Sequence, residues 1–301
     1  MDTQQGISTS WFLVADAVAA AREQQELGRR AESTIARGDV SAVHLGRILG
    51  ATTDLNRCNL PELAERFWKA RRAEGAGDGT VQKEIGYAVM GLERGRELGW
   101  FRGDPERIYP RALKGYRNRP RTRVLTVEEY VALIDVAVKA ARHPQAVDRT
   151  DELRAYVLTG ARQAELFTIR KDGVDLERRV LRINGTKTAG SVREVPILDE
   201  LMPAIERRLQ TDGPMLFDPP WHRARMHQNL RRWCAEAKIA PVTANDLRRT
   251  FATWMAERGV PESLLLRFMG HTSSTMLRSV YTQVTDRMHA DTIARFGRAL
   301  S

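Results

Sequence analysis

Apolar side chains recur every three or four residues along most of this chain, a spacing typical of amphipathic helices. The pattern covers residues 11–28 and returns near residues 41–49, from about residue 60 and from Thr80 onward. It breaks where three short runs separated by turn-forming residues predict strands: Val174–Leu176, Val180–Ile183 and Arg193–Ile197. The sequence therefore predicts a mainly α protein with a small antiparallel β-sheet in its C-terminal domain.

The charge of the chain indicates the class of its partner. Its 301 residues, 42% of them hydrophobic, are enough for about two domains with real cores, which excludes a wholly disordered chain. Lys and Arg number 48 against 38 acidic residues, so the net charge is +10, and only seven of the 48 are lysines. This excess of positive charge favours a polyanionic partner, foremost a nucleic acid.

Several classes of protein are not expected. The chain has no run of about 18 apolar residues, and its polar N-terminus lacks the basic and apolar segments of a secretory signal. Its two cysteines, Cys58 and Cys234, lie far apart, and no acidic or His/Cys cluster has metal-ligand spacing. We therefore expect a cytoplasmic protein with no membrane contact, metal or cofactor.

A basic, proline-containing stretch separates two helical regions. Residues 102–123 carry eight Lys or Arg residues, two acidic residues and three prolines, a composition that disfavours a packed helix. We predict a helical domain over residues 1–112, a linker over 113–123 and a second domain over 124–301. The linker is either a solvated tether or a basic strap along a phosphate backbone, in which case the contacts would come from Arg117, Arg119, Arg121 and Arg123.

Two segments place an arginine near a predicted helix start. Gly160 predicts the end of a helix over residues 151–159, and Arg162 follows at the start of the next helix. Asp246 is predicted to cap another helix, with Arg248 in its first turn. A cation there is unfavourable unless an anion lies beside it. Taken singly, either arginine could be an ordinary surface residue.

Three further residues carry reactive or proton-transferring groups. Lys187 lies in the turn between the second and third predicted strands, and a lysine can release a proton whereas an arginine essentially cannot. His271 follows Gly270, the predicted end of a helix that begins at Pro261. Tyr281 could be a nucleophile or a packing residue. Singly, each of these residues also fits a structural or solvated role.

Taken together, the segments resemble the tyrosine recombinase (phage integrase) family. The resemblance rests on their order along the chain: Gly-Ala-Arg-Gln-Ala-Glu-Leu from Gly160, Thr-Lys-Thr around Lys187, Asp-Leu-Arg-Arg-Thr-Phe-Ala-Thr from Asp246, Met-Gly-His ending at His271, and the late Tyr281. It covers about residues 124–301, and the helical front half is similar to the core-binding domain of that family.

The resemblance implies a mechanism. Tyr281 would attack a DNA phosphate to form a 3′-phosphotyrosine, which keeps the energy of the phosphodiester for rejoining. Arg162 and Arg248 would bind the non-bridging oxygens and stabilise the transition state. Lys187 would be the general acid for the 5′-oxygen, and His271 would bind the phosphate or assist the tyrosine. The partner would be double-stranded DNA with a specific site, bound by a homo-tetramer that joins two duplexes through a Holliday junction. The protein would then be associated with the nucleoid when bound to DNA.

The chain departs from the family pattern at two points. Asn245 stands where the family usually has a histidine, and an amide cannot exchange a proton at neutral pH. The spacing from His271 to Tyr281 is about one residue longer than usual. The resemblance also implies that Glu165 braces the site and does no chemistry.

Two alternative functions stay open. Because Asn245 replaces the usual histidine, the chain could be a DNA-binding protein of the same fold with weak or lost strand transfer, acting as a decoy or regulator. A relaxing enzyme similar to type IB topoisomerases is a third possibility.

Overall fold

The fold was taken from a computed structural model that describes residues 11–117, 121–143, 146–185 and 192–270. The chain divides into two compact units, one within residues 1–120 and the other within residues 121–301. Helices dominate both, and a three-stranded antiparallel sheet lies in the second, which confirms the predicted fold class. Within the described ranges, no helix combines the length and apolar character needed to cross a bilayer.

The described part of unit 1 contains a short π-helical turn at Gly46–Gly50 and four α-helices: α1 (Val14–Leu27), α2 (Glu32–Leu45), α3 (Leu60–Ala73) and α4 (Asp78–Glu97). The second helix begins about nine residues earlier than the sequence predicts. It continues through Gly38, a weak helix former. This glycine is buried where an added Cβ would lie 2.6 Å from the Tyr87 ring, so tertiary packing outweighs the local preference.

The core of unit 1 is built around the close approach of α1 and α4. A Cβ at Gly91 would lie 1.9 Å from the Ala17 carbonyl oxygen, so only glycine allows the two helices to come this near. Large apolar side chains fill the space beside this crossing, among them Phe12, Phe67 and Ile85, each at most 1% exposed. Burial of such side chains is the main stabilising contribution to a helical unit of this size.

Most of the basic stretch belongs to unit 1 and is anchored there, although its composition disfavours a packed helix. Two 3₁₀ turns, Pro105–Ile108 and Arg111–Leu113, follow α4. Phe101, Ile108 and Leu113 are buried in the core of the unit. Three apolar anchors among many charges are enough to fix the segment, because each removes a large apolar area from water. The division between the units at residues 120 and 121 falls inside the predicted linker 113–123.

Unit 2 contains seven helices in its described part: α5 (Val127–Ala141), α6 (Thr150–Thr159), α7 (Gln163–Leu166), α8 (Met202–Leu209), α9 (Arg223–Glu236), α10 (Ala244–Glu257) and α11 (Glu262–Met269). Local chemistry explains several boundaries. Thr126 caps α5 and forms a reciprocal pair with Glu129. Gly160 and Gly270 end α6 and α11 in the left-handed conformation, which confirms both predicted helix ends.

The sheet contains β1 (Val174–Asp175), β2 (Val180–Ile183) and β3 (Arg193–Pro196) in the order β1-β2-β3. All three strands lie where the sequence predicts them. In β2 and β3, Leu181 pairs with Val195, and Ile183 pairs with Arg193. These four residues face the interior, so one side of the sheet packs on the core of unit 2 and brings an arginine with it.

Candidate phosphate-binding site

The site begins where α6 ends. Gly160 adopts a φ of +62°, and an added Cβ would lie 2.5 Å from the Phe251 ring, so both backbone conformation and packing require glycine. The chain turns there and places Arg162 directly before the first residue of α7. The Arg162 side chain, 38% exposed, donates a 2.5 Å bond to Glu165 Oε1 and a 3.2 Å bond to the Gly270 carbonyl. Arg162 is therefore held from two sides while part of it faces solvent.

Glu165 is the buried anion of the site. It is 1% exposed, and its Oε2 accepts bonds of 2.8 Å from the Arg162 backbone N–H and from the Arg193 guanidinium. Arg248 Nη1 lies 3.9 Å from the same oxygen. Burial by itself would raise the pKa of Glu165, but the bonds from Arg193 and Arg162 outweigh it and lower this pKa to about 2. Glu165 is therefore charged at any physiological pH.

Arg248 is a second buried cation of the site. It is 5% exposed and donates hydrogen bonds to the carbonyls of Gly160 and Met269. Burial, and then the proximity of Arg162 and Arg193, lowers the pKa of Arg248 to about 9, so that it remains protonated at neutral pH. The fold thus keeps like charges close together at a position where an anion would relieve their repulsion.

The start of α10 differs from its prediction. Thr243 is the cap, and Asp246 occupies the third helical position, where it accepts a 2.9 Å bond from the Thr243 backbone N–H. The pair forms a reciprocal capping box. Arg248 therefore lies in the second turn of α10 and not in the first. Asn245 is exposed in the first turn, three residues before Arg248 and so on the same side of the helix.

The site includes one arginine that sequence reasoning missed. Arg193 is the first residue of β3, 7% exposed, and its Nε donates a 2.6 Å bond to the Phe268 carbonyl. A signal was available, because strand alternation puts Arg193 on the same face as Val195 and Ile197. A charge at an inward position needs a buried partner, and Glu165, far away in the sequence, provides it.

The described part of the site is strongly cationic. Three guanidinium groups, those of Arg162, Arg193 and Arg248, surround the single carboxylate of Glu165. Arginine donates in a planar fork that matches the oxygens of a phosphate group. In the residues that the structure describes, no three His, Cys, Asp or Glu side chains form a cluster able to hold a metal ion. The arrangement suits binding of an oxyanion and stabilisation of added negative charge.

The remaining predicted catalytic residues, Lys187, His271 and Tyr281, lie outside the described residues, as does Arg119. The arginines of the basic stretch have different surroundings. Arg123 makes two bonds to Glu129, of 2.8 and 2.7 Å, so its guanidinium is used within unit 2. Arg121, with a side chain 57% exposed, contacts Asp246 at 3.4 Å. Arg117 is exposed at the end of the described part of unit 1.

Comparison with known proteins gives consistent results. The sequence profile of the phage integrase family matches residues 123–288. The tyrosine recombinase XerA of Pyrococcus furiosus is 30% identical over 242 residues, which cover 77% of this chain and 79% of that protein. The tyrosine recombinase XerD of Xanthomonas campestris pv. campestris is 28% identical over 211 residues, covering 63% of this chain and 61% of that protein.

Solved structures share the fold at lower sequence identity. The integrase of transposon Tn1549, in complex with transposon right end DNA, superposes with a TM-score of 0.74 at 17% identity, covering 95% of this chain and all of that chain. A lambda integrase dimer bound to a COC′ core site gives a TM-score of 0.74 at 14% identity, covering 90% of this chain and 77% of that chain.

Proposed function

Because the chain belongs to the phage integrase family of tyrosine recombinases, we propose that it is a site-specific recombinase that cuts and rejoins double-stranded DNA through a 3′-phosphotyrosine intermediate. The observation that carries the proposal is the cluster of Arg162, Arg193 and Arg248 around Glu165. A phosphodiester gains negative charge as a nucleophile adds to phosphorus, and fixed guanidinium groups stabilise that charge without reorganising.

The proposed reaction is a transesterification. The Tyr281 oxygen attacks the scissile phosphorus while the bond from phosphorus to the 5′-oxygen breaks. Lys187 gives a proton to the departing 5′-oxygen, and the tyrosine proton passes to a base, for which His271 is the candidate. Arg162 and Arg248 bind the non-bridging oxygens throughout. Rejoining is the reverse reaction, with a 5′-hydroxyl as the nucleophile, and it needs no cofactor because the phosphotyrosine keeps the energy of the broken bond.

Asn245 would hydrogen-bond the phosphate or the attacking tyrosine without exchanging a proton. Glu165 would orient the arginines. The exposed Arg117 and Arg121, together with Arg119, would contact the DNA backbone, and affinity would fall as salt rises. We further propose that the active form is a homo-tetramer on two duplexes, and that its role is integration or excision of mobile DNA.

Trapping of the covalent intermediate tests the proposed function. Purified protein is mixed with a randomised duplex library that carries a nick, so that cleavage beside the nick releases a short fragment and traps the protein on DNA. Adducts are isolated under denaturing conditions, and the attached DNA is sequenced. We expect the wild-type protein to form adducts at a shared sequence, and Tyr281→Phe to form none while still binding DNA.

The same assay separates the alternatives. Protein that binds DNA tightly and forms no adduct would refute recombinase chemistry and favour a DNA-binding regulator of the same fold. Adducts at unrelated sequences, together with relaxation of any supercoiled plasmid, would instead support a relaxing enzyme. Arg162→Ala should also abolish the adduct, whereas Arg182→Ala, which removes an exposed arginine on the outer side of the sheet, should not.

A further inference from the structure

The C-terminal end of α11 is bound by three arginines from three different elements. The carbonyls of Phe268, Met269 and Gly270 are consecutive, and the last carbonyls of a helix lack partners within the helix. Each accepts a hydrogen bond from a different guanidinium: Phe268 from Arg193 at 2.6 Å, Met269 from Arg248, and Gly270 from Arg162 at 3.2 Å. The helix end thereby fixes the spacing of all three cations.

Arg193 connects this helix end to the buried carboxylate. Its Nε bonds the Phe268 carbonyl, and its terminal nitrogen bonds Glu165 Oε2 at 2.8 Å. The other oxygen of Glu165 is then available to the Arg162 side chain. The side chain of Arg193 is 4% exposed, whereas that of Arg162 is 38% exposed. Arg193 is thus placed to hold the site together, and Arg162 is placed to meet a ligand.

Packing alone does not account for an arginine at this position. Burying a guanidinium has a large desolvation cost, and an apolar residue would fill the inward face of β3 as Val195 does. An arginine is suited to the position because its planar fork can bond two acceptors that lie in different directions. A lysine has a single nitrogen and would keep the charge without reproducing both bonds.

Resting on the proposed function, we propose that Arg193 is a positioning residue for strand cleavage. It holds Glu165 and the end of α11 in the arrangement that lets Arg162 and Arg248 receive the scissile phosphate, and it does not itself touch the DNA. Loss of Arg193 should therefore slow cleavage while leaving DNA binding nearly unchanged, since a displacement of about 1 Å in such a site can lower a rate by about 100-fold.

The test uses Arg193→Met and Arg193→Lys in the full-length protein, with Arg182→Met as the matched control on the opposite, exposed face of the sheet. Single-turnover adduct formation is measured on nicked DNA carrying the recovered site. One substrate has the natural scissile phosphate, and the other has a methylphosphonate, which lacks the negative charge that Arg162 and Arg248 neutralise. DNA affinity and thermal unfolding are measured for every variant.

On the natural phosphate we expect Arg193→Met to be slower than wild type by about 10- to 100-fold and Arg193→Lys to be intermediate. On the methylphosphonate the difference from wild type should shrink several-fold, because the reaction then depends less on the arginine pair. Affinity should change less than about threefold. Arg193→Lys, which keeps the buried charge, provides the comparison if the methionine variant does not fold.

Two results would overturn the positioning role while leaving the proposed function intact. One is wild-type rates in both folded Arg193 variants, and the other is an equal loss of rate on both substrates, which a general structural defect would give. If the wild-type protein forms no adduct on either substrate, the proposed function fails and the role of Arg193 fails with it.

Discussion

The negative charge of Glu165 should contribute strongly to the free energy of unfolding of unit 2. The substitution Glu165→Gln measures this contribution. The variant keeps the shape of the side chain and removes its negative charge from among three guanidiniums. The pKa of Glu165 is lowered from 4.5 to about 2 by its partners, in spite of burial. A difference of this size between the unfolded and folded states corresponds to about 3 kcal/mol of free energy of unfolding at neutral pH.

The sign of the pH dependence follows from that shift. The folded-state pKa lies below the unfolded one, so the stabilisation is fully present above about pH 4.5 and is lost as the pH falls toward 2. Between pH 7 and pH 3, the wild-type protein should therefore lose about 2 kcal/mol that Glu165→Gln does not lose. The two curves of unfolding free energy against pH should approach each other in acid.

Urea denaturation followed by tryptophan fluorescence at pH 7, 5, 4 and 3 measures this difference. Glu152→Gln is a useful comparison, because burial raises the pKa of Glu152 despite its arginine partners. The pKa of Glu152 is higher in the folded than in the unfolded state, so ionisation of Glu152 lowers the free energy of unfolding, whereas ionisation of Glu165 raises it. Equal midpoints for wild type and Glu165→Gln at pH 7, or parallel pH profiles, would refute the argument that the arginines stabilise this carboxylate.

Three other substitutions have outcomes that the structure specifies. Gly160→Ala combines a positive φ with a 2.5 Å approach to the Phe251 ring, so it should lower the free energy of unfolding by about 1–3 kcal/mol in urea titrations and slow adduct formation. Gly91→Ala should destabilise unit 1 by a similar or larger amount, seen as a lower thermal midpoint, because its Cβ would meet the Ala17 carbonyl at 1.9 Å. Asn245→His should speed adduct formation near neutral pH, since imidazole can exchange a proton and an amide cannot. No gain from this change, together with no loss in Asn245→Ala, would mean that the position has no catalytic role.

Features governed by local chemistry could be predicted from the sequence. Thr126 and Gly160 mark helix ends through hydrogen bonds and backbone preferences that involve only neighbouring residues. The start of α10 can also be predicted from local sequence, because Thr243 and Asp246 have the spacing of a capping box. Taking Asp246 as the cap overlooks Thr243. The error displaced Arg248 by one turn in the prediction, although its place in the site was unaffected.

Features governed by distant partners were harder to predict. Strand alternation places Arg193 on the inward face, but its partners, Glu165 and the end of α11, are brought beside it only by the fold. The stretch from residue 102 has the composition of a tether because charge and proline dominate it, while the buried side chains of Ile108 and Leu113 decide how its first part packs. In both cases the free energy comes from contacts between residues distant in sequence, which composition and periodicity do not contain.

The surplus of arginine in this chain has two separate physical uses. Arg123 and Arg193 are bonded to carboxylates inside unit 2, and each also donates to a backbone carbonyl far away in the sequence. Arg162 and Arg121 also contact carboxylates, but they keep part of their surface in solvent, where a phosphate can reach them. Only cations that neutralise phosphates release counterions, so the salt dependence of DNA affinity counts the second group and not the first. The net charge of +10 therefore indicates the class of partner, while burial inside unit 2 removes arginines such as Arg193 from contact with it.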